Sequence, residues 1–315
     1  MRKSDLWKDA LPEGLSRRDL LRFALVAGAL AFTGGAGVAA SLLKRRIPRT
    51  GELLPVIGLG TWQTFDVPGQ KSARAPLKEV LREFARLGGS VIDSSPMYGN
   101  SESVAGDLAA ELGIRNRLFL ATKVWTRGRE QGIQQMEESF RRLRAQQIDL
   151  MQVHNLVDWR THLVTLQRWK DQNRIRYIGI THYTASAYDE LASVLESQDL
   201  DFVQLNYSIA ERDAERRLLP LALDRQIGVL VNRPFAEGAL FRKVRGKPLP
   251  AWAKQIGCAT WSQFFLKFIV SHPAVTSVIP ATSKVEHLLD NMQGGIGSLP
   301  DTDTRERMAR YVVEA

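Results

Sequence analysis

Short apolar runs alternate with longer amphipathic stretches along the chain from about residue 53 onward. In residues 77–84, apolar side chains recur three and four positions apart, which is the spacing of one face of a helix. Strands that alternate with helices predict βαβ units and a parallel sheet. The runs predicted as strands are residues 56–60, 90–93, 118–123, 149–153, 177–181, 202–206, 228–232 and 277–279.

Eight such runs in residues 53–315 predict one α/β domain, a (β/α)8 TIM barrel, with a doubly wound sheet as the rival fold. No linker rich in proline and serine divides this segment. The run at 56–60 also fits, in part, a hairpin that closes the barrel floor. We assign residues 41–52 to a linker that precedes the barrel.

Residues 1–40 have the pattern of a targeting segment. A polar and basic stretch ends on SRRDLLR at 16–22, and an uncharged run rich in alanine and glycine fills 23–40. The paired arginines and the soft apolar run resemble a twin-arginine signal peptide. The resemblance implies export in folded form by the twin-arginine machinery, to the periplasm. The alternative is an uncleaved anchor, and the chain then meets the membrane only through this segment.

The composition, 44% hydrophobic and 24% charged, is that of a globular protein. The single cysteine, Cys258, excludes an intramolecular disulfide, and without a Cys/His cluster we expect no structural metal. The net charge of +9 comes from 43 basic residues interspersed with 34 acidic ones. Such mixing favours solvated helix faces over a nucleic-acid-binding surface.

Polar side chains follow the predicted strands at the points where they end, which is where a barrel builds its active site. We therefore expect these side chains to share one face of the barrel. They are Asp93, Lys123, His154, Thr181, His182, Gln204, Asn206, Asn232, Arg233, Thr282, Ser283 and Lys284.

Four residues of the first strand ends and loops suggest a proton-transfer site. A buried lysine needs a partner, and Asp93 is the natural one for Lys123. The ammonium is expected to lower the pKa of Tyr98, so that the phenol donates a proton near neutral pH. His154 orients a carbonyl or relays the proton. The group suits carbonyl reduction with a nicotinamide cofactor, whereas the alternative is a structural ion pair beside a core histidine.

The segments that carry these residues resemble the signature of the aldo-keto reductase family in order and spacing. They read GLGTW at 58–62, IDSSPMYGNSE at 92–102, TKVW at 122–125, DLMQVHN at 149–155 and IPATSK at 279–284. The resemblance implies a (β/α)8 barrel that reduces aldehydes and ketones with NADPH and without a metal. It also implies Tyr98 as the general acid, Lys123 and Asp93 as its tuning pair, and His154 as the carbonyl-orienting group.

The resemblance further implies that the nicotinamide lies across the barrel mouth and that the adenosine end meets residues 282–291. The residues expected to contact the cofactor are Gly60, Thr61, Trp62, Thr181, His182, Gln204, Asn232, Pro234, Phe235, Thr282, Ser283, Lys284, His287 and Asn291. Trp62 and Trp125 are expected either to form a wall of the substrate pocket or to pack at the rim.

Three positions depart from the family pattern. Thr181-His182 stands where the family has Ser-Asn, Asn232 where an aromatic residue stacks on the nicotinamide, and His287 where an arginine is usual. NADPH is therefore expected, with NADH possible as the cofactor. Residues 233–258 are long for a connection, and their basic side chains suggest either a mobile lid over the cofactor phosphates or a solvated loop.

Two functions fit these observations. The first is a carbonyl reductase that acts on a small-molecule substrate and is exported in folded form. The second is a cofactor-binding sensor or partner-binding barrel without steady-state turnover. A flavin or sugar enzyme has little support, because no carboxylate pairing typical of glycosidases is evident.

Overall fold

The computed structural model describes residues 41–314, and the predicted signal segment 1–40 lies outside them. Eight strands form one sheet in which each strand pairs in parallel with the next along the chain. Main-chain hydrogen bonds from Gly58 N to Val278 O (2.8 Å) and from Val278 N to Val56 O (2.9 Å) join the first strand region to the last. The sheet is therefore a (β/α)8 barrel, which confirms the predicted fold and excludes the doubly wound sheet.

The strands are, in chain order, β1 Lys44–Arg46, β2 Leu53–Pro55, β3 Leu59–Gly60, β4 Val91–Asp93, β5 Phe119–Val124, β6 Ile148–His154, β7 Ile175–Thr181, β8 Phe202–Asn206, β9 Gly228–Asn232 and β10 Val275–Val278. The α-helices are α1 Lys71–Arg86, α2 Ser101–Glu111, α3 Arg129–Arg142, α4 Trp159–Asp171, α5 Tyr188–Ser197, α6 Leu218–Asp224, α7 Ala239–Lys243, α8 Trp261–Val270, α9 Val285–Gln293 and α10 Thr302–Glu314.

The segment expected to be a linker, 41–52, is instead part of the same compact unit as the barrel. Its strand β1 pairs antiparallel with β2, and Arg45 donates hydrogen bonds to the carbonyls of Val270, His272 and Val275. The predicted hairpin exists, but it uses 44–46 and 53–55 rather than 56–60. A strand of consecutive basic residues has no apolar alternation, so the sequence pattern did not show it.

The barrel interior is filled below the mouth by a small apolar cluster that is separate from the core between strands and helices. The rings of Phe119 and Tyr177 stack with centroids 5.9 Å apart, and Phe202 packs against both. These aromatic side chains occupy the lower barrel. A ligand can therefore enter only from the end where the strands finish.

Several residues in the loops at that end have a left-handed backbone conformation, which is rare outside glycine. Residues other than glycine with positive φ occur there at Gln63 and in two groups, within 155–158 and within 233–237. Residues 233–258 are not one plain loop, since they contain α7 and the short 3-10 helices Ala236–Gly238 and Ala251–Ile256. Among residues 41–314, no helix is long and apolar enough to cross a membrane.

Candidate active site

A buried ion pair lies beneath the barrel mouth. The Lys123 ammonium is 2.7 Å from Asp93 Oδ2, and it donates a second hydrogen bond of 2.7 Å to the Ser94 carbonyl. The other carboxylate oxygen of Asp93 accepts from the amide of Gln204 at 2.7 Å and from that of Gln152 at 3.3 Å. Burial opposes the charge of Lys123, but the facing Asp93 carboxylate and the Tyr98 hydroxyl outweigh it and raise the lysine pKa.

Tyr98 lies directly above this pair. Its ring centre is 5.2 Å from the Lys123 ammonium and 6.1 Å from the ring of His154. Although part of the ring is exposed, burial of the hydroxyl raises the pKa of Tyr98 above its ordinary value, and the opposing effect of Lys123 is smaller. The expectation of a lowered pKa is therefore wrong, because the sequence shows the cation but not the desolvation.

His154 is buried at the end of β6, with its Nδ1 3.2 Å from Ser95 Oγ. Burial, reinforced by the charge of Lys123, lowers the pKa of His154 to about 3. The imidazole is therefore neutral at physiological pH. When the Ser95 hydroxyl donates to Nδ1, the ring proton sits on Nε2, and His154 then offers one N–H donor.

A cavity of about 610 Å³ opens above these residues. The aromatic residues Trp62 and Trp125 are about two-fifths exposed on its wall, at 42% and 41%, and the Trp125 ring lies 6.2 Å from that of His154. Lys123 lies beneath the cavity floor rather than on it. The lining residues that the sequence had singled out are Gly60, Thr61, Trp62, Asp93, Tyr98, Trp125, His154, Thr181, Gln204, Asn232, Pro234 and Phe235.

Three polar residues form a row along the ends of β7, β8 and β9. Gln204 Oε1 accepts hydrogen bonds from Thr181 Oγ1 (3.3 Å) and from Asn232 Nδ2 (3.4 Å). Within the described chain, the buried Asn232 Oδ1 has no hydrogen-bond partner. His182 does not line the cavity, since its ring stacks on Tyr183 with centroids 5.6 Å apart.

A second groove of about 380 Å³ adjoins the first, because Phe235 and Ala281 line both. Thr282, His287 and Asn291 line this groove, as the sequence predicted for the adenosine end. Ser283 and Lys284 do not line it: both are exposed, and the Lys284 ammonium is 3.8 Å from Glu286. Among the described residues that line the groove there is no lysine or arginine.

Several site residues were not identified from the sequence. Gln152 lies two positions before His154 on β6, so the alternation of a strand places both side chains on the inner face. Ser95 stands within the quoted 92–102 motif, but nothing in its spacing showed that it contacts His154. Arg233, in contrast, was among the polar strand-end residues expected at this face of the barrel, and it lines the cavity.

Comparison with known proteins agrees with this geometry. The family model described as "Aldo/keto reductase family" matches residues 56–306. The chain belongs to the aldo/keto reductase family. Membership confirms the predicted resemblance and the prediction of an oxidoreductase that reduces carbonyl groups with a nicotinamide cofactor.

Individual members of the family are distant in sequence. The chain is 28% identical over 247 residues to "Methylglyoxal reductase YeaE" of Escherichia coli (strain K12), covering 76% of this chain and 84% of that protein. It is also 28% identical over 232 residues to "NADH-specific methylglyoxal reductase" of the same organism, covering 63% and 69%. An aldo-keto reductase from Klebsiella pneumoniae, solved in complex with NADPH, superposes with a TM-score of 0.72 at 23% identity, covering 87% of this chain and 95% of that one.

Proposed function

We propose that this aldo/keto reductase reduces the carbonyl group of a small aldehyde or ketone, with Tyr98 as the proton donor. The observation that carries the proposal is the position of the Tyr98 ring 5.2 Å from a buried ammonium, which is itself paired with Asp93. Tyr98 and the neutral imidazole of His154 line the same cavity, and the buried Lys123 ammonium lies beneath its floor.

Each side chain has a distinct task in this proposal. Tyr98 keeps its proton because its pKa is raised, so the phenol is the acid that protonates the developing alkoxide. Lys123 favours the phenolate that remains, since a nearby positive charge stabilises it. Asp93 holds the ammonium in place through the 2.7 Å contact. His154 stays neutral and donates to the carbonyl oxygen, which orients the substrate.

The cavity fits a nicotinamide along its β7–β9 side. Asn232 lines this side with a side-chain amide, and a carboxamide carries hydrogen-bond donors and an acceptor that match such a group. Thr181 and Gln204 flank it. A reduced nicotinamide supplies hydride to the carbonyl carbon when bound. The adjoining groove past Phe235 offers space for the adenosine end.

We propose NADPH as the cofactor, with NADH also accepted. One relative is named an NADH-specific reductase, whereas structural neighbours were solved with NADPH or NADP. The adenosine groove of this chain is lined by His287 and by no lysine or arginine among its described residues. A phosphate there would gain less from a neutral histidine than from an arginine fork, so discrimination is expected to be modest.

The test is a fluorescence titration of the purified protein with NADPH and NADH, followed by turnover of a panel of aldehydes. Saturable binding with steady-state oxidation of the cofactor supports the reductase. Binding without turnover on every aldehyde supports the sensor alternative, and binding of neither cofactor contradicts both.

We also propose that the protein is exported in folded form through the twin-arginine pathway. Support comes from the paired arginines at positions 17 and 18 and from the uncharged run at 23–40. The expected location is the periplasm, or the membrane if the segment is retained. Fractionation of cells that express the wild type and the R17K/R18K double variant tests this. Equal periplasmic amounts of the two proteins would contradict the proposal.

A further inference from the structure

The cavity that holds Tyr98 also contains an arginine to which no task has been given. Among its described lining residues, Arg233 is the only lysine or arginine. It follows Asn232 at the end of β9, and its guanidinium donates a 3.1 Å hydrogen bond to the Tyr183 carbonyl after β7. The guanidinium also lies 5.6 Å from the centre of the Tyr183 ring. Arg233 therefore spans two strand ends at the entrance to the site.

The guanidinium has more donors than partners. Its Nε is buried and has no hydrogen-bond acceptor in the described chain. The nearest carboxylate, that of Glu237, is 3.5 Å from Nη2, and half of the Glu237 side chain is exposed. A ligand cannot reach the enclosed Nε, but Nη1 and Nη2 each carry two N–H groups, and a ligand with paired oxygens can accept from those that Tyr183 and Glu237 leave free.

Apart from the carboxylate of Glu237, the other ionisable groups of the cavity lining carry no net charge. The Asp93 carboxylate is neutralised by Lys123 at 2.7 Å. His154 is neutral because its pKa is about 3. The remaining positive charge that faces the cavity is Arg233, and the 24% exposure of its side chain leaves it only partly screened by water.

The backbone around Arg233 is held in a conformation that is rare for residues with a side chain. Arg233, Ala236 and Glu237 have φ of 50°, 47° and 51°. Such strain collects where a segment must present a group to a ligand. This observation is independent of the side-chain contacts, and it points to the same residue.

We propose that Arg233 is an oxyanion-binding residue, whose guanidinium takes up a carboxylate or phosphate of a molecule in the cavity. This inference rests on the proposed carbonyl reduction and deepens it. The oxyanion belongs either to a carbonyl substrate that carries an acidic group or to the cofactor diphosphate, since both offer the paired oxygens that a guanidinium fork binds. Glu237 competes with that oxyanion for the same guanidinium.

The test uses two aromatic aldehydes of nearly equal shape, 4-carboxybenzaldehyde and 4-nitrobenzaldehyde, and a fluorescence titration with NADPH. The quantities compared are the ratio of kcat/KM for the two aldehydes and the Kd for NADPH. Arg233→Gln is compared with Arg216→Gln, which removes the same charge from a side chain that is 85% exposed and lines neither cavity.

If the oxyanion belongs to the substrate, Arg233→Gln lowers the ratio of kcat/KM for 4-carboxybenzaldehyde to that for 4-nitrobenzaldehyde about tenfold. This is the size expected for one charge-assisted hydrogen bond. If the oxyanion is instead the cofactor diphosphate, Arg233→Gln raises the Kd for NADPH by about the same factor. Glu237→Gln releases the guanidinium, so it shifts the affected quantity in the opposite direction. This second variant also keeps the test decisive if Arg233→Gln folds poorly.

The inference is overturned if both Arg233→Gln and Glu237→Gln leave the ratio and the Kd within the range of Arg216→Gln. Failure of the underlying function looks different: the wild type binds NADPH but reduces neither aldehyde. The aldehydes are then titrated against the NADPH complex in place of turnover. If the Arg233 variant changes neither the Kd for NADPH nor the ratio of the Kd values for the two aldehydes, the inference is overturned, and a change in either quantity supports it.

Discussion

The Lys123 ammonium lies 2.7 Å from the Asp93 carboxylate, and the two side chains are 0% and 4% exposed. A pair so far from water is expensive to break, because the remaining partner is left as a buried charge. Asp93→Asn is expected to lower the free energy of unfolding by about 3 kcal/mol or more, measured by urea denaturation. It should also abolish reduction.

The double variant Asp93→Asn/Lys123→Met separates charge from packing. With both charges removed, much of the stability should return, while activity stays lost because the Tyr98 proton donor has no cation beside it. If the double variant were as unstable as the sum of the single ones, the two side chains would be energetically independent, and the ion pair would not explain the effect.

Tyr98→Phe tests the proton donor directly. The variant keeps the ring and removes only the hydroxyl, so kcat is expected to fall about 100-fold or more, while the Kd for NADPH changes little. Tyr311→Phe on α10 removes an equivalent hydroxyl from a residue that lines neither the cavity nor the groove, and it is the matched control. Activity close to wild type in Tyr98→Phe would remove this residue from the acid role.

His154 gives the protein a predictable acid sensitivity. Its pKa is about 3 in the folded chain, whereas an unfolded histidine titrates near about 6.5. Between these values the unfolded chain binds one more proton. The contribution of His154 to the free energy of unfolding is therefore fully present above about pH 6.5, and it falls with decreasing pH by about 1.4 kcal/mol per pH unit. His272, with a pKa of about 4 from burial, adds a contribution of the same sign.

Replacement of His154 by glutamine should therefore flatten, but not abolish, the loss of stability between neutral and acid pH. The measurement is the urea midpoint of wild type and variant across that range. A slope that is the same in both proteins would mean that His154 is not buried in its neutral form.

Much of this architecture was predictable from the chain, and the reasons are physical. The eight barrel strands followed from apolar runs, and the site from polar residues at their ends, because parallel strands bring their ends to one face. The hairpin that closes the barrel floor was predicted at the wrong residues, because Lys44–Arg46 is stabilised by contacts of Arg45 with distant carbonyls that the sequence pattern does not show. The rise in the pKa of Tyr98 was missed because desolvation depends on how the cavity closes around the hydroxyl.

The charge of the adenosine groove is expected to set the preference between NADPH and NADH. His287→Arg adds a permanent cation to a groove that has no lysine or arginine among its described lining residues. The ratio of the Kd for NADH to that for NADPH should rise about tenfold, since a guanidinium binds the 2′-phosphate that NADH lacks. Leu289→Arg adds the same charge to α9 on a side chain outside the groove, and it is the control. An equal change in both variants would indicate only a general electrostatic effect.

One side chain of α3, that of Gln135, bonds to the main chain of Trp125 in the cavity wall. Gln135 accepts from the Trp125 N–H at 2.5 Å and donates to the Trp125 carbonyl at 3.3 Å, so one amide pairs with both main-chain groups. Gln135→Leu removes both hydrogen bonds to the Trp125 main chain, so the KM for an aromatic aldehyde should rise several-fold. The change in kcat should be smaller, because Gln135 makes no hydrogen bond to the tyrosine, lysine or histidine of the proton-transfer group.

Gln134→Leu is the matched control for that variant, since it makes the same change one residue away on an exposed position of the same helix. A rise in KM confined to Gln135→Leu would show that the tryptophan is held in place to contact the substrate. A loss of kcat with unchanged KM would contradict this, and would mean instead that the segment acts through His154, whose ring lies 6.2 Å from that of Trp125.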